Sequence, residues 1–513
     1  SWTPTNLFHK ATWSTCDMVA RVLLPFLSLA AAVKLPHDPH PRLHNRTLCE
    51  LGAAEGLLGE VVCSNWAGDI SWTPSEILAP HDEEELVEMM VKAHSVGKKM
   101  KVVGLGHSWN KIHHPDPGGA TMTLSHLKRI VIDRKTNSVR VQAGVTFKLL
   151  NVVLAKEGLA LNWMSGGIQT LTVGGAVSVG YHGSQINVGT FASLTQNIKL
   201  LMANGTFMDM TGKTEESDEL RAIRTGLGLV GIVVEVTLPI TQQFYLKRAR
   251  WEVNSMAEFR KDHLPKWRDH PRFHWYWHPY TDKVWLMTWE PTTKEASEKQ
   301  NQPCRTAVLQ WEDALHEEFG PDGMPLVLRW DNCSDISYLS YTHADDMRAQ
   351  PIYNKEYFVP VTKEHEALDA FVKAVRNSPI KPHTDFWVHE RYLNSDNSFL
   401  MPCYGFGHCS SFEVAYVSNT MTGPLPPMSE WREQTAAYDT ALQSFHGRPH
   451  WAKENLVDYQ YYKDSGLPID EFMVVRKRLD PNEMFLNDYL REKLLPGFAP
   501  TCDPTKDPTC STI

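Results

Sequence analysis

The sequence predicts an α+β fold in which a glycine-rich half is followed by an aromatic-rich half, and three observations carry that prediction. A strand–helix–strand pattern spans "TPSEILAPHDEEELVEMMVKAHSVGKKMKVVGLGHSWN", and a hairpin pattern, "RIVIDRKTNSVRVQAGV", follows it. Beyond about residue 243, aromatic strands such as "RFHWYWHPY" and "KVWLMTWEP" alternate with helices such as "HEALDAFVKAVRNS", the mixture expected of an α+β domain with an antiparallel sheet. At 513 residues the chain exceeds one ordinary core, so two or three domains with room for a buried site are expected.

Each element has its own signal. "PHDEEELVEMMVKAHSVGK" begins acidic, carries Leu86, Met89, Met90 and Ala93 at helical spacing, and stops at Gly97. The strand after it delivers "GLGHSWN", where Gly104 and Gly106 would let backbone amides approach a bulky ligand or would simply permit a turn. "RIVIDRKTNSVRVQAGV" alternates apolar and polar residues on both sides of a Lys-Thr-Asn turn, and "TFKLLNVVLAKEGLAL" is a second helix. In "SGGIQTLTVGGAVSVGYHGS" the glycines Gly166, Gly167, Gly174, Gly175, Gly180 and Gly183 would be costly inside ordinary helices or strands. Either the backbone lies against something flat and large, or strands cross tightly in a small-residue core. A third glycine cluster, "RTGLGLVGIVVEVTLPI", ends in a β-branched strand, and a boundary falls near Gln242. The last hundred residues hold "FHGRPHWAKE" and "VVRKRLDPNEMFLNDYL".

Bulk properties narrow the function. A formal net charge of -9 with no basic stripe excludes nucleic acid as a partner. The charge-free apolar run Val22 to Val33 reaches about 18 Å as a helix, against the roughly 30 Å of a bilayer core. A retained targeting remnant, an interfacial anchor or a buried helix all fit it, and a start at Ser1 favours a processed precursor. Of nine cysteines, Cys49 with Cys63, Cys403 with Cys409, and Cys502 with Cys510 are close enough in sequence to bond; no C-x-x-C spacing suggests a metal, and none is expected. The polar tail around Cys502 and Cys510 has no core of its own, so a disulfide there implies an oxidising compartment.

The three glycine clusters, in this order and at these separations, resemble the FAD-binding domain of the vanillyl-alcohol-oxidase flavoprotein superfamily. "HWAK" at His450 to Lys453 is similar to the signature of its aldonolactone oxidoreductases, and "MPCYGFGHC" and "RLDPNEMFLNDYL" are similar to further stretches of animal gulonolactone oxidases. The resemblance implies an FAD domain of two α+β subdomains (residues 66–242) and an α+β substrate-binding cap with an antiparallel sheet (243–445). Residues 446–492 then return to the FAD domain, leaving an extension (1–65) and a tail (493–513). It further implies flavin-dependent oxidation of L-gulono- or L-galactono-1,4-lactone to ascorbate or an analogue, with oxygen as acceptor. A cytochrome-c-linked dehydrogenase is the alternative, and a flavin-loaded subunit or assembly factor is the alternative of another class. The implied compartment is the mitochondrial intermembrane space or the endoplasmic reticulum. The N-terminal extension leaves peripheral membrane contact or docking to a larger complex open, whereas the charged "WEDALHEEFGPDG" argues against firm anchoring through the cap.

By the same resemblance, FAD lies along Gly104, Leu105, Gly106, His107, Ser108 and Trp109, along Gly174, Gly175, Ser178, Gly180, His182 and Gly183, and against Ile232. In relatives with a histidine at the His107 position, that side chain is bonded to the flavin's 8α methyl carbon; relatives with an apolar residue there bind FAD without a bond. His107 thus points to the oxidase branch. Ala143 points the other way, because it falls where glycine or proline accompanies oxygen access and alanine restricts it. Lys453 and Arg391 match positions that line the substrate side, where fixed cations stabilise developing negative charge. Relatives show Glu-x-Arg, whereas this chain reads His389-Glu390-Arg391. Strand alternation puts His389, not Glu390, beside Arg391, so His389 is expected to accept the hydroxyl proton. His450 either packs Lys453 in place or contacts substrate.

Overall fold

A computed structural model describes residues 49–50, 61–210, 217–279, 281–301, 303–304, 332–341, 352–377, 387–417 and 427–498. The apolar run Val22 to Val33, the Cys502 and Cys510 pair and "WEDALHEEFGPDG" lie outside them. Helix Glu83–Ser95 starts at Asp82, whose carboxylate accepts the Glu85 N–H, and carries three glutamates in its first turn, where the helix dipole favours them. It buries Leu86, Met90 and Ala93. The helix joins strands Glu76–Leu78 and Met100–Val103, which are parallel but not neighbours: Ala120–Thr123 lies between them in a three-stranded sheet. A four-residue strand is too short to show a period in sequence, which is why this interposed strand escaped the reading.

The hairpin Ile130–Asp133 with Ser138–Gln142 forms one edge of a five-stranded antiparallel sheet that continues through Ile232–Pro239, Asn197–Leu201 and Phe207–Asp209. Helix Phe147–Lys156 follows it, capped by Thr146. The glycine-dense segment, whose glycines would be costly inside an ordinary helix, nevertheless forms the helix Val173–Val179, with Gly174 and Gly175 in its first turn and Gly180 ending it at φ 71°. Close approach explains this departure. A Cβ on Gly174 would stand 2.7 Å from the Ala143 methyl, so only glycine lets the helix settle on that strand end.

The second half is built on an eight-stranded antiparallel sheet in the order Cys333–Ile336, Tyr245–Val253, Val284–Thr292, Phe273–Trp277, Trp387–Asn394, His408–Val417, Ile352–Pro360, Arg448–Pro449. Alternation separates its faces. Trp275, Trp277, Tyr392 and Phe412 pack under helices Glu364–Asn377 and Met428–Gln443, with Phe371, Trp431 and Tyr438. On the opposite face, Tyr276 is in register with His389, His389 with Glu413, and Glu413 with Glu356, so four neighbouring strands place these residues in one row.

The last strand, Arg448–Pro449, hands the chain back to the first half. Trp451, Tyr462, Phe472, Leu490 and Leu494 share a hydrophobic cluster with Val145, Phe147, Val177 and Phe191. Cys403 is bonded to Cys409, and Cys63 is disulfide-bonded and in register with Cys49. Cys304 is bonded to Cys333, a pair that the search for cysteines close in sequence overlooked because 29 residues separate them. Among the described residues, no helix is long and apolar enough to cross a membrane.

Candidate active site

A cavity of about 320 Å³ has one wall from the glycine-rich half and one from the large sheet. The first wall is the turn after Met100–Val103. There Gly106 adopts φ 70°, and the turn is tied to the C-terminal segment: Trp109 N–H donates to Ala452 O (2.7 Å), and Asn110 Nδ2 donates to Trp451 O (2.6 Å) and Lys453 O (2.7 Å). "GLGHSWN" and "HWAK" are therefore one structural unit.

His107 stacks on Trp66, with ring centroids 4.8 Å apart, and its Nε2 lies 3.2 Å from Thr170 Oγ1. Its Nδ1 is buried and has no partner among the described residues. Burial, and secondarily the Lys453 charge, lower its pKa to about 3, so the ring is neutral. An orphaned imidazole nitrogen beside a glycine wall suits a flat aromatic cofactor. Gly104, Leu105, Gly106, Ser108, Trp109, Ala143, Gly174, Gly175, Ser178 and Ile232 line the same cavity, as do Gly228 and Gly231 of the third glycine cluster and the unanticipated Trp66 and Thr172.

Two expected cofactor contacts are not in this wall. Gly180 ends its helix in the left-handed region and meets Thr225, while Gly183 packs against the Met164 carbonyl; both glycines serve chain geometry. His182 lines the cavity from the sheet side, next to Glu356 and His450.

The sheet wall is a buried charge network. Arg391 Nη2 donates to Glu356 Oε1 and Glu413 Oε2, both at 2.7 Å. Lys453 Nζ lies 3.1 Å from Glu413 Oε1 and 4.2 Å above the Trp109 ring centroid. Asn354 Nδ2 donates to Glu413 Oε1 at 2.7 Å. Burial alone would raise the Glu413 carboxyl, but Arg391, Lys453 and His389 together hold it well below the usual range. Glu356 likewise stays ionised, because Arg391 and His182 outweigh its desolvation.

His389 and Arg391 both reach Glu413, whereas Glu390 is fully buried on the other face beside Glu364 and Tyr392 and does not line the cavity. His389 Nδ1 lies 3.1 Å from Glu413 Oε2; a carboxylate only accepts, so Nδ1 carries the proton. The Nε2 lone pair then faces His274 Nδ1 at 2.9 Å. The proton-accepting role expected of His389 is therefore not available to it, and burial lowers its pKa to about 4. His450 accepts the Ala452 N–H at Nδ1 (3.0 Å), which leaves its proton on Nε2. His182, Glu356 and His450 bring one ligand atom each within 4.8 Å of one another, but a His450 that must donate from Nε2 is the wrong tautomer for a metal ligand there.

Glu356 and Glu413 went unnoticed in sequence, although each is the only acid of its strand, in "KEYFVP" and "SFEVAYV". That pattern is the signal that could have found them, because an acid in a strand buried on both faces needs a buried partner.

Two family models match the chain. One, described as an FAD binding domain, covers residues 74–211, and one described as D-arabinono-1,4-lactone oxidase covers residues 236–493. The L-gulonolactone oxidase of Mus musculus is 27% identical over 83% of this chain and 97% of its own length. The L-gulono-1,4-lactone dehydrogenase of Mycobacterium tuberculosis (strain ATCC 25618 / H37Rv) is 26% identical over 85% and 99%. The crystal structure of cholesterol oxidase from B. sterolicum superposes with a TM-score of 0.66 at 15% identity over 84% of this chain and 96% of that one, a likeness of fold.

Proposed function

The chain belongs to the D-arabinono-1,4-lactone oxidase family, and from that premise we propose that it oxidises an aldono-1,4-lactone, such as L-gulono- or L-galactono-1,4-lactone, to ascorbate or a close analogue. FAD is its cofactor. The observation that carries the reading is the single cavity in which the glycine wall bearing His107 faces Arg391 and Lys453. When bound, FAD supplies the acceptor for a hydride from the carbinol next to the lactone carbonyl. Arg391 and Lys453, held by Glu413, bind and orient the lactone oxygens and stabilise negative charge that develops on them. Buried Tyr276 and Trp109 help to exclude water from the same space. We take the cofactor domain as residues 66–242 with 446–492, and the substrate cap as 243–445.

Purified protein mixed anaerobically with either lactone is expected to lose its flavin absorbance near 450 nm, a band every oxidised flavin shows on the order of that wavelength. Admitting oxygen is expected to restore it. Persistence of the oxidised spectrum with every aldonolactone would leave only a flavin-loaded scaffold.

The flavin is attached covalently through His107, a reading supported by its orphaned, neutral ring. Acid precipitation should then leave the yellow colour in the protein pellet, and His107→Ala should release it to the supernatant. The acceptor is oxygen, with access limited by Ala143, whose methyl lies in the cavity wall against Gly174. Ala143→Gly is expected to speed reoxidation of the reduced protein by oxygen about tenfold, a barrier change of roughly 1.4 kcal/mol. Stopped-flow mixing checks this, with cytochrome c in a parallel run; slow oxygen with fast cytochrome c would identify a dehydrogenase instead. The disulfides Cys304–Cys333 and Cys403–Cys409 support an oxidising compartment, an organellar or secretory lumen, in which the N-terminal extension serves membrane contact or docking.

A further inference from the structure

We infer that Glu356 is the catalytic group that takes the hydroxyl proton of the substrate, through its Oε2 oxygen. The inference rests on the lactone-oxidising reading above. Hydride removal from a carbinol requires that the hydroxyl proton leave to an acceptor in hydrogen-bond reach. The acceptor needs a lone pair not already committed to the protein, in the wall of the cavity where the cations stand.

The other candidates in that wall are committed. Both Glu413 oxygens are taken, Oε1 by Asn354 and Lys453 and Oε2 by Arg391 and His389. His389 directs one nitrogen at Glu413 and the other at His274. The lone pair of His450 receives the Ala452 N–H. His182 lies between two acceptors, Gly183 O at 3.0 Å from Nδ1 and Glu356 Oε1 at 3.0 Å from Nε2, so each ring nitrogen donates and neither offers a lone pair.

Glu356 differs. Its Oε1 is anchored by Arg391 at 2.7 Å, with His182 Nε2 at 3.0 Å, and this fixes the carboxylate plane. Its Oε2 is buried without a hydrogen-bond partner among the described residues, although the residue is 1% exposed and lines the cavity. A buried carboxylate oxygen with nothing to accept from costs free energy unless a ligand supplies the donor. A carbinol hydroxyl is such a donor.

The strand register supports the assignment. Glu356 closes the row begun by Tyr276, His389 and Glu413, next to the backbone turn of His450, whose N–H donates to Glu356 O at 2.9 Å. The carboxylate thus sits between the anchored guanidinium of Arg391 and the segment that carries Lys453.

The balance is simple. The O–H bond breaks and its proton forms a new O–H bond at Oε2; the electron pair left on the oxygen becomes the second C–O bond as the C–H pair leaves with the hydride to the acceptor named above. The anchoring cations make Glu356 a weak base, but a weak base suffices. As the hydride departs, the hydroxyl becomes a protonated carbonyl, which is far more acidic than any carboxylic acid, and the proton moves downhill. Arg391 beside the carboxyl lowers its affinity for the proton, which passes to water once the product has left the cavity, and the carboxylate is ready for the next turnover.

The test is anaerobic single-turnover reduction of the holoenzyme by L-gulono-1,4-lactone in wild type, Glu356→Gln and Glu356→Asp, with the FAD content of each recorded. The glutamine variant keeps a hydrogen-bond acceptor at this position but cannot take the proton. It should remain yellow, saturate with lactone near the wild-type concentration, and reduce about 100-fold more slowly or worse. The aspartate variant keeps the charge that Arg391 needs and withdraws the oxygen by one methylene, so it should reduce at an intermediate rate. A glutamine variant that is reduced within about threefold of wild type would overturn the inference. If that variant cannot hold FAD, a wild-type rate in the aspartate variant would overturn it equally. A wild-type protein that no aldonolactone reduces would instead sink the functional reading, and this assignment with it.

Discussion

Glu413→Ala is expected to cost on the order of 3–5 kcal/mol of stability, the usual result of removing one partner from a buried ion network. Glu413 is 6% exposed and bonded at once to Arg391, Lys453, His389 and Asn354. Its loss leaves two cations facing a single carboxylate, Glu356, and removes the acceptor that fixes the His389 tautomer. The thermal midpoint of the holoenzyme should fall by about 5 °C or more. The pH dependence has a definite sign. The folded-state pKa of Glu413 is depressed, so the stability it contributes is present above the ordinary carboxylate range, near ~4.3, and is lost as pH falls through the lower folded value. The gap between wild type and variant should therefore stay constant from neutral pH down to the carboxylate range and close only below it. A variant melting within a degree of wild type at neutral pH would show that the network is dispensable.

Lys453→Ala should retain FAD but slow its reduction by lactone about 100-fold, equivalent to roughly 3 kcal/mol of lost transition-state stabilisation. Lys453 is held from three sides, by Glu413, by the Trp109 ring and by the Asn110 bond to its carbonyl, so its ammonium is in place before substrate arrives. No other described residue reaches that position from the same loop: Ala452 is apolar and His450 is turned toward Glu356 and His182. Loss of lactone binding with an unchanged limiting rate would mean that Lys453 serves ground-state binding alone. Unchanged reduction altogether would make this loop a structural strap.

The glycine-rich wall was legible in the sequence because glycine marks close approach wherever it occurs, and Gly104, Gly106, Gly174 and Gly175 all line the cavity. The wall also shows the limit of that signal: Gly180 and Gly183 look the same in sequence yet serve a helix end and a packing contact. Alternation along one strand correctly separated His389 from Glu390, since that requires only neighbours in sequence. It could not reveal that Glu413 stands opposite His389 or that Glu356 stands opposite Glu413. Cross-strand register depends on long-range pairing, and the partners here come from three separate strands. The expectation for His389 failed for the same reason, because its lone pair is committed to His274 on yet another strand.

The clasp between Asn110 and the Lys453 carbonyl joins residues 343 positions apart. At typical synthesis speeds a ribosome needs roughly 15–70 s to span that distance. For that time the first half emerges with its glycine turn exposed and the segment that closes it still unmade. A compact nascent half could collect nucleotide early, but the turn carrying His107 is tied down only after Trp451, Ala452 and Lys453 have emerged and docked. Cofactor capture is thus set as a late event in the life of the chain, and any shortening before residue 453 would leave a soluble-looking but colourless half-protein.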